Sequence, residues 1–455
     1  MLFSNSAIAQ LNHHGRSNLV SIFAPDYREE PYWWMAAPPS GEDVTASVPG
    51  PVKADVAIVG GGITGLTAAL FLARGGADVI VVDSGEIGGG AARMNAGFLG
   101  RTLKRSIGWL DKHVGSEYAV RVYRELDEAL KGIESLVNSE QIECHRRTCG
   151  RLISANSEPH LRHLIKDMEE MKHRLGFDYE VVSKSDLHSE LASDCYFGGV
   201  VVPDLGSIHP GLYHSGLLKR GKEAGVRFLE RAAVLTIDSN GGRKSVRTER
   251  GEISATQVIV ATNGYTPRNL KWFARRLVPF RGFITATEIL PSELIDKVLP
   301  KRRTYLDTKM GIDFIRSAPD SERILFGGLT GRLNSTSTSL VPALYRRMTR
   351  IMPDLEGVKI SRSWTGFCAG TFDFMPHMGI HDGIHYALGY NFAGVPLGTH
   401  FGRKLASRIL GKGGGSSAFD IEKFPTLPLF NGTGLVAPLA MQYFNLHDRW
   451  ITKGK

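Results

Sequence analysis

The sequence predicts two interleaved domains: an α/β domain built on a mostly parallel sheet, and an α+β domain floored by an antiparallel sheet. Three observations predict this. Asp55 to Asp83, DVAIVGGGITGLTAALFLARGGADVIVVD, reads as strand, glycine turn, helix and strand. Gln257 to Gly264 is a second apolar run, and its Ala-Thr-Asn-Gly ending fits the carboxyl end of a parallel strand, where ligands bind. From Leu277 to Leu333 the pattern changes to short strands and turns, including Phe283 to Glu288, Ile312 to Ile315 and Ile324 to Phe326.

The first of these stretches is the most informative. Val56 to Val59 is the continuous apolar run of a strand covered on both faces. Ile63, Leu66, Ala69, Leu70 and Ala73 recur at helical spacing, and Gly75-Gly76 stop the helix before Val79 to Val82 begin a second strand. Gly60, Gly62 and Gly65 fit G-x-G-x-x-G, which serves a tight turn, close approach of backbone to a diphosphate, and packing of helix on strand. The helix start, at Ile63 and Thr64, offers unpaired N–H groups to the anion. Asp83, with Ser84 after it, ends the unit where a carboxylate can accept from ribose hydroxyls.

At 455 residues the chain is long enough for two domains, with the apolar and charged fractions of a globular protein. The net charge of +9 is scattered in short runs, such as Arg275-Arg276 and Lys301-Arg302-Arg303, so nucleic-acid binding is not expected. Cys144, Cys149, Cys195 and Cys368 form no CxxC pair, which signals neither a zinc site nor a redox dithiol and fits a reducing, cytoplasmic setting. No metal site is expected, and His13-His14 reads as part of a tail. No membrane span is expected, because the most apolar stretch is already strand and helix. No signal-peptide core precedes it.

Taken in order, Tyr32-Trp33-Trp34 reads as a lead-in cluster with its indoles on the domain surface. Gly88 to Gly97 is a small-residue loop suited to close passage over a cofactor, with Arg93 and Asn95 as polar contacts and Ala96 and Gly97 beside them. Trp109 to Asn138 reads as one amphipathic helix, and further helices are expected over Pro159 to Leu175, Gly211 to Ala224 and Ser339 to Met352. Val234 to Ile253 forms an antiparallel excursion turning at Asn240-Gly241-Gly242. A strand His385 to Leu388 leads through a glycine turn, Gly389 to Gly398, into a helix from Thr399 to Leu410. Gly413 to Ser417 reads as a flexible joint before a proline-bearing tail.

These motifs together resemble the D-amino-acid-oxidase-like (DAO) superfamily of FAD enzymes, particularly its glycine/sarcosine oxidase and gamma-glutamylputrescine oxidase-like branch. The resemblance rests on Tyr32-Trp33-Trp34, the fingerprint, Arg93 to Gly97, Ile208-His209-Pro210-Gly211, Val260 to Gly264, Trp364-Thr365-Gly366 with Asp373 and Pro376, and Gly389 to Gly394. It implies an FAD-binding Rossmann-like domain of the glutathione-reductase type over residues 53–106, 200–270 and 360–412. A substrate domain over 107–199 and 271–359 would join it, with a lead-in at 1–52 and a tail at 413–455. It also implies FAD lying between Gly60 to Gly65, Asp83, Val234, Ala261-Thr262-Asn263, the Asn95 loop, and Gly389 with Asn391, Phe392, Ala393, Gly394, Val395, Pro396 and Leu397. The implied chemistry is hydride removal from the carbon next to an amine or amino-acid nitrogen, with oxygen or another electron acceptor completing the cycle.

Three side chains are candidates for the substrate side. Arg316, on a strand above the site, could hold a carboxylate bidentately or face outward. His209 could act in catalysis or cap a helix, and Tyr390 could present its hydroxyl to substrate or pack as an aromatic. Asp373 has a local hydrogen-bonding explanation. Cys368 does not fall where relatives attach flavin through cysteine, so the FAD is expected to be noncovalent. Ile324 to Gly328 lacks the oxygen-activating lysine of sarcosine-type oxidases, which keeps a dehydrogenase using a quinone or carrier protein as the alternative. A flavin-binding subunit without catalysis is the other alternative, and a closed face beside Arg316 and Tyr390 would mark it.

Overall fold

A computed structural model of the chain describes residues 21–39, 52–319, 322–332, 335–432 and 438. His13-His14, the stretch 40–51 and most of the tail beyond 432 lie outside the described residues. Strands Val52–Val59 and Val79–Val82 pair in parallel across helix Ile63–Arg74, as the opening pattern requires. Arg227–Leu229 extends this sheet beside Val79–Val82, and the long strand Gly251–Val260 pairs in parallel on the other side of Val52–Val59. Ile384–Leu388 follows in parallel beside residues 258–260. The first half of Gly251–Val260 closes a meander with Val234–Asn240 and Arg243–Thr248. Both faces of this sheet are covered: Val56 and Ile58 belong to one core, Ala57 and Val59 to another.

Helix Gly394–Ile409 crosses Ile63–Arg74 at close range. A Cβ on Gly402 would lie 2.6 Å from Thr64 O, and one on Gly398 2.9 Å from Thr64 Oγ1. Small residues let the two backbones approach. This helix begins at Gly394, five residues before the expected start, so Gly394 to Leu397 form its opening rather than a turn. Pro396 is tolerated there because the first-turn N–H groups have no intrahelical partner. The expected helix Trp109 to Asn138 is likewise two, Ile107–His113 and Ser116–Ser139, divided at Gly115 with φ +115°.

The second sheet has nine strands, in the order Phe23–Arg28, Ile360–Gly370, Val278–Thr287, Ile324–Gly328, Phe314–Ser317, Thr304–Asp307, Arg151–Ser154, Gly199–Val202, Glu180–Val182. Its pairing crosses the expected boundaries, since it recruits Phe23–Arg28 from the lead-in and Ile360–Gly370 from the segment assigned to the nucleotide domain. Local patterning identifies a strand but not the sheet that receives it. Alternation gives this sheet two faces: Phe283, Ile315 and Phe326 join Leu340 and Leu344 of helix Ser337–Ile351 on the outside. Ile284, Leu325, Phe314 and Trp364 face inward with Trp33, Met94 and Ala96.

The Gly413 to Ser417 segment is fastened, contrary to its composition. Arg408 Nη2 donates to Gly415 O at 2.7 Å and Lys404 Nζ to Ser416 O at 2.6 Å. Ser417 Oγ and Ala418 N donate to the carboxylate of Glu125, each at 2.6 Å, and His400 Nε2 lies 3.0 Å from its Oε1. The chain then buries Phe419, Phe424 and Phe430, with Phe424 stacked on His377 at 3.9 Å.

Burial raises the pKa of Glu125, but these hydrogen bonds outweigh it and hold the group below its ordinary value. A carboxylate depressed on folding adds stability above its unfolded pKa of about 4.3, and that contribution is lost as pH falls through the folded value. Glu125→Gln should therefore lower the melting temperature at neutral pH. The gap to wild type should close toward low pH, a convergence checked by thermal unfolding across pH.

Candidate active site

The fingerprint glycines divide into two kinds. Gly60 has φ +108°, and a Cβ there would lie 2.9 Å from Ala261 O. A Cβ on Gly65 would overlap Gly60 O. These two serve protein packing. Gly62 differs: its Cβ would meet nothing closer than Ala92 Cβ at 3.9 Å, leaving open space at the helix start. The helix from Ile63 has no side-chain cap and no acid in its first turn, so Ile63 and Thr64 begin an uncompensated positive dipole end.

Asp83 closes the turn, accepting from Gly61 N at 2.8 Å and Gly85 N at 3.0 Å. Burial raises its pKa despite these donors, and neighbouring Glu230 adds to the rise. Ser84 beside it is exposed. Ala232 N donates to Asp83 O at 2.8 Å, which brings the start of the Val234 strand to this end of the turn. Two residues that sequence reasoning missed support the cradle. His214 Nε2 lies 2.9 Å from Gly61 O, and Glu230 Oε1 accepts from Ile87 N at 2.7 Å. Burial lowers the His214 pKa to about 4, so its ring is neutral. No motif marks either residue, because their roles arise only when helix Pro210–Glu223 and strand Arg227–Leu229 dock.

The loop Met94 to Gly97 is latched through four consecutive carbonyls. Trp364 Nε1 donates to Met94 O at 2.9 Å and Trp33 Nε1 to Asn95 O at 2.8 Å. Arg316 Nη1 donates to Ala96 O at 3.0 Å and to Gly97 O at 3.2 Å. Ile208 N also donates to Gly97 O, at 2.8 Å. Buried carbonyls need donors, and these long side chains supply them. Trp33 is thus fully buried between the sheet and the loop, which corrects the expectation of surface indoles. Arg93 donates to Ala37 O, while the Asn95 amide bonds Ala91 O, Ala92 O and Gly97 N. Both brace their own surroundings.

The three substrate-side candidates do not converge. Arg316 and His209 meet at Trp33: the guanidinium lies 5.4 Å from the indole, and the imidazole 4.8 Å from it. Arg316 donates to Ser317 O and Ile208 O as well as the loop, and burial lowers its pKa to about 10. It faces inward, and the contacts that hold it are main-chain carbonyls. His209 caps helix Pro210–Glu223, Nδ1 accepting from Leu212 N at 3.1 Å. Burial depresses its pKa to about 3, and that neutral state is what lets Nδ1 accept. Tyr390 turns away to Thr64, its hydroxyl 2.6 Å from Thr64 Oγ1, and stacks on Phe401.

The remaining predicted residues close around the fingerprint. Asn263 Oδ1 accepts from Gly389 N at 2.9 Å, tying the Ala261-Thr262-Asn263 loop to the later turn. Asn391, at φ +47°, donates to Gly389 O at 2.7 Å, and Phe392 follows at φ +78°. Phe392 packs against Phe280 with centroids 4.9 Å apart.

Between the two domains, the inner face of the nine-stranded sheet carries a glycine floor. Gly282 pairs with Gly366, and a Cβ on Gly282 would meet nothing within 4 Å. Around it stand Phe280 with Phe392, Phe314 lying over Gly327, Met94 3.1 Å from a Cβ on Gly366, and Tyr265, whose hydroxyl is 3.7 Å from it. Tyr265 also accepts from Phe367 N at 3.1 Å and lies against Gly90 of the glycine loop. Its place directly after Ala-Thr-Asn-Gly was the signal that could have found it. The open space therefore lies above Gly282, not beside Tyr390.

Residues 55–408 match the model of the DAO family, FAD dependent oxidoreductase. The chain belongs to the DAO family of FAD-dependent oxidoreductases. It is 30% identical over 404 residues to gamma-glutamylputrescine oxidoreductase of Escherichia coli, covering 88% of this chain and 93% of that one. Glycine oxidase of Bacillus subtilis is 23% identical over 79% of this chain and 93% of its own length. The crystal structure of glycine oxidase from Geobacillus kaustophilus shares the fold, with a TM-score of 0.69 at 22% identity, covering 83% of this chain and 99% of that one.

The residues present fit FAD. The open position at Gly62 and the uncapped helix start would suit an anion, and the Asp83 carboxylate stands at the end of that turn, where it could accept from a ribose. Among the described residues no helix is long and apolar enough to cross a membrane.

Proposed function

We propose that this chain oxidises the C–N bond of an amine or amino acid, with FAD held noncovalently and oxygen as electron acceptor. The observation that carries the reading is the open space over Gly282, beside its partner Gly366 and the latched Met94 loop that packs on Gly366. The names of the relatives, a gamma-glutamylputrescine oxidoreductase and glycine oxidases, support the substrate class. Gly60 to Gly65 and Asp83 would hold the diphosphate and ribose, with Ala261 to Asn263 and Gly389 to Leu397 closing the cofactor site.

Bound FAD supplies the two-electron acceptor that takes hydride from the carbon next to nitrogen, leaving an imine that water hydrolyses. The chain's own contribution is placement. The Met94 to Gly97 carbonyls are pinned by Trp33, Trp364 and Arg316, which holds Met94 against Gly366 at the edge of that space. Phe280, Phe392 and Phe314 line the space above Gly282 with apolar surface. The neutral His209 is engaged as a helix cap, which supports a reaction that draws no proton through it.

Desolvation pushes the Cys368 thiol up to about 12, which keeps it protonated and a poor nucleophile toward flavin. Four free thiols fit a cytoplasmic setting. Acid precipitation should release all the flavin into the supernatant, and an amine or amino acid should bleach it anaerobically. Flavin that stays with the pellet would sink the noncovalent reading, and no bleaching across a broad set of both classes would sink the reaction. Leu325 and Gly327, inward-facing on their strand, place no charge near the floor, which favours a dehydrogenase as the second reading. Peroxide formation against dye reduction on one substrate separates the two.

A further inference from the structure

We propose that Tyr265 is a strap on the cofactor: its ring walls the interval between the fingerprint turn and the sheet, and sets how slowly FAD leaves. The inference rests on the FAD reading above and adds a residue to it.

One loop marks the path. Along Gly88 to Gly97, Ala92 lies 3.9 Å from a Cβ on Gly62 at the fingerprint, and Met94 lies 3.1 Å from a Cβ on Gly366 at the sheet. A dinucleotide whose diphosphate sits at the fingerprint must cross from the first contact to the second to bring its ring beneath the sheet. Tyr265 spans the same interval. Its Cε2 is 3.0 Å from a Cβ on Gly90, two residues before Ala92, and its hydroxyl is 3.7 Å from the Cβ position of Gly366. The residue is 40% exposed, so it borders open space rather than core.

The local structure explains why a tyrosine stands there. Strand Phe23–Arg28 pairs with Ile360–Gly370 only as far as Arg362, so the outer edge of that strand near Phe367 has no strand partner among the described residues. A main-chain donor on such an edge needs an acceptor. The Tyr265 hydroxyl is that acceptor, 3.1 Å from Phe367 N, and its ring meets the Phe367 ring edge-on with centroids 5.6 Å apart. Gly264 lets the turn come this close, since a Cβ there would lie 2.7 Å from Cys368 O. The backbone beneath the ring is fixed. Asn263, at φ +41°, accepts from Gly389 N at 2.9 Å, and the Thr262 and Thr266 hydroxyls meet at 2.7 Å. A side chain held by one hydrogen bond and its ring contacts can swing about χ1 while this backbone stays in place. That combination makes a strap: closed by weak contacts, hung from a rigid turn.

The test follows FAD release from diluted holoenzyme by the rise in flavin fluorescence. ADP binding to apoprotein is measured by calorimetry up to millimolar concentrations. Tyr265→Ala should release FAD at least about tenfold faster, because it removes the hydroxyl and the ring together. Its ADP affinity should stay within about twofold of wild type, because ADP ends at the diphosphate, before the interval Tyr265 spans. Release at the wild-type rate overturns the proposal and leaves the FAD reading standing. ADP affinity that falls in step with FAD affinity would show that Tyr265 only supports the fold, and overturns it as well.

Tyr265→Phe keeps the ring on Gly90 and removes only the hydroxyl, so release should quicken by about threefold. This variant decides the matter if Tyr265→Ala yields no folded protein, and an unchanged rate in it then overturns the strap. Wild-type apoprotein that takes up FAD but gives no ADP signal would remove the diphosphate from the fingerprint turn, and the path on which Tyr265 is placed with it. Wild-type protein that takes up no FAD at all overturns both this inference and the reading beneath it.

Discussion

Gly65→Ala should yield protein with little or no bound FAD. The added Cβ would overlap Gly60 O, and both partners are main chain, so no rotamer change relieves the clash. Either the helix start or the end of strand Val52–Val59 must move, and overpacking of this kind costs about 1–3 kcal/mol or more. The same movement withdraws the Ile63 and Thr64 N–H groups from the anion.

Gly62→Ala provides the contrast. Its Cβ meets nothing nearer than 3.9 Å in the protein, and its φ of −80° suits any residue. Its urea unfolding midpoint as apoprotein should match wild type, while FAD affinity falls by at least about tenfold, roughly 1.4 kcal/mol. Flavin-to-protein absorbance ratios and reconstitution titrations read both variants. Wild-type affinity in Gly62→Ala would show that this opening is not the diphosphate cradle.

Arg316→Met should destabilise the fold by about 3 kcal/mol. The side chain is 3% exposed and supplies donors to the carbonyls of Ala96, Gly97, Ile208 and Ser317. Gly97 O keeps a bond from Ile208 N, but Ala96 O and Ile208 O lose the donor described for them. An unsatisfied buried carbonyl costs about 1–3 kcal/mol. Against this stands the relief of no longer burying a charge that burial already opposes, its pKa being lowered to about 10. The carbonyl losses are larger, because neutral pH lies well below that value and the guanidinium stays protonated with its donors in place. Urea unfolding measures the net effect, and faster proteolysis within Gly88 to Gly97 should accompany it. Wild-type stability would mean that water replaces the guanidinium.

The fold, and the glycine turn that we propose holds the diphosphate, were legible because their signals are local. A strand, three spaced glycines, an amphipathic helix and a closing acid lie within Asp55 to Asp83, and backbone geometry demands those residue types at those spacings. Motifs spread along the chain likewise pointed to FAD.

The substrate side was not legible in the same way. Arg316, His209 and Tyr390 were sound candidates by residue type, yet each satisfies a neighbour that sequence distance conceals: loop carbonyls near residue 96, a helix start, and Thr64. Trp33 read as a packing residue and Trp364 only as part of a family motif, yet they pin adjacent carbonyls of one loop. Gly282 carries no motif, and its importance appears only when sheet register sets it opposite Gly366 on the inward face.

The sequence by itself determined the α/β dinucleotide unit and the presence of an antiparallel sheet, since each follows from periodicity or glycine spacing over a short span, while its resemblance to a family, carried by motifs along the chain, implied FAD. Tertiary structure alone decided which strands share the nine-stranded sheet, where Arg316 spends its hydrogen bonds and where space for a substrate remains. Those outcomes depend on which buried donors and acceptors meet once distant segments pack.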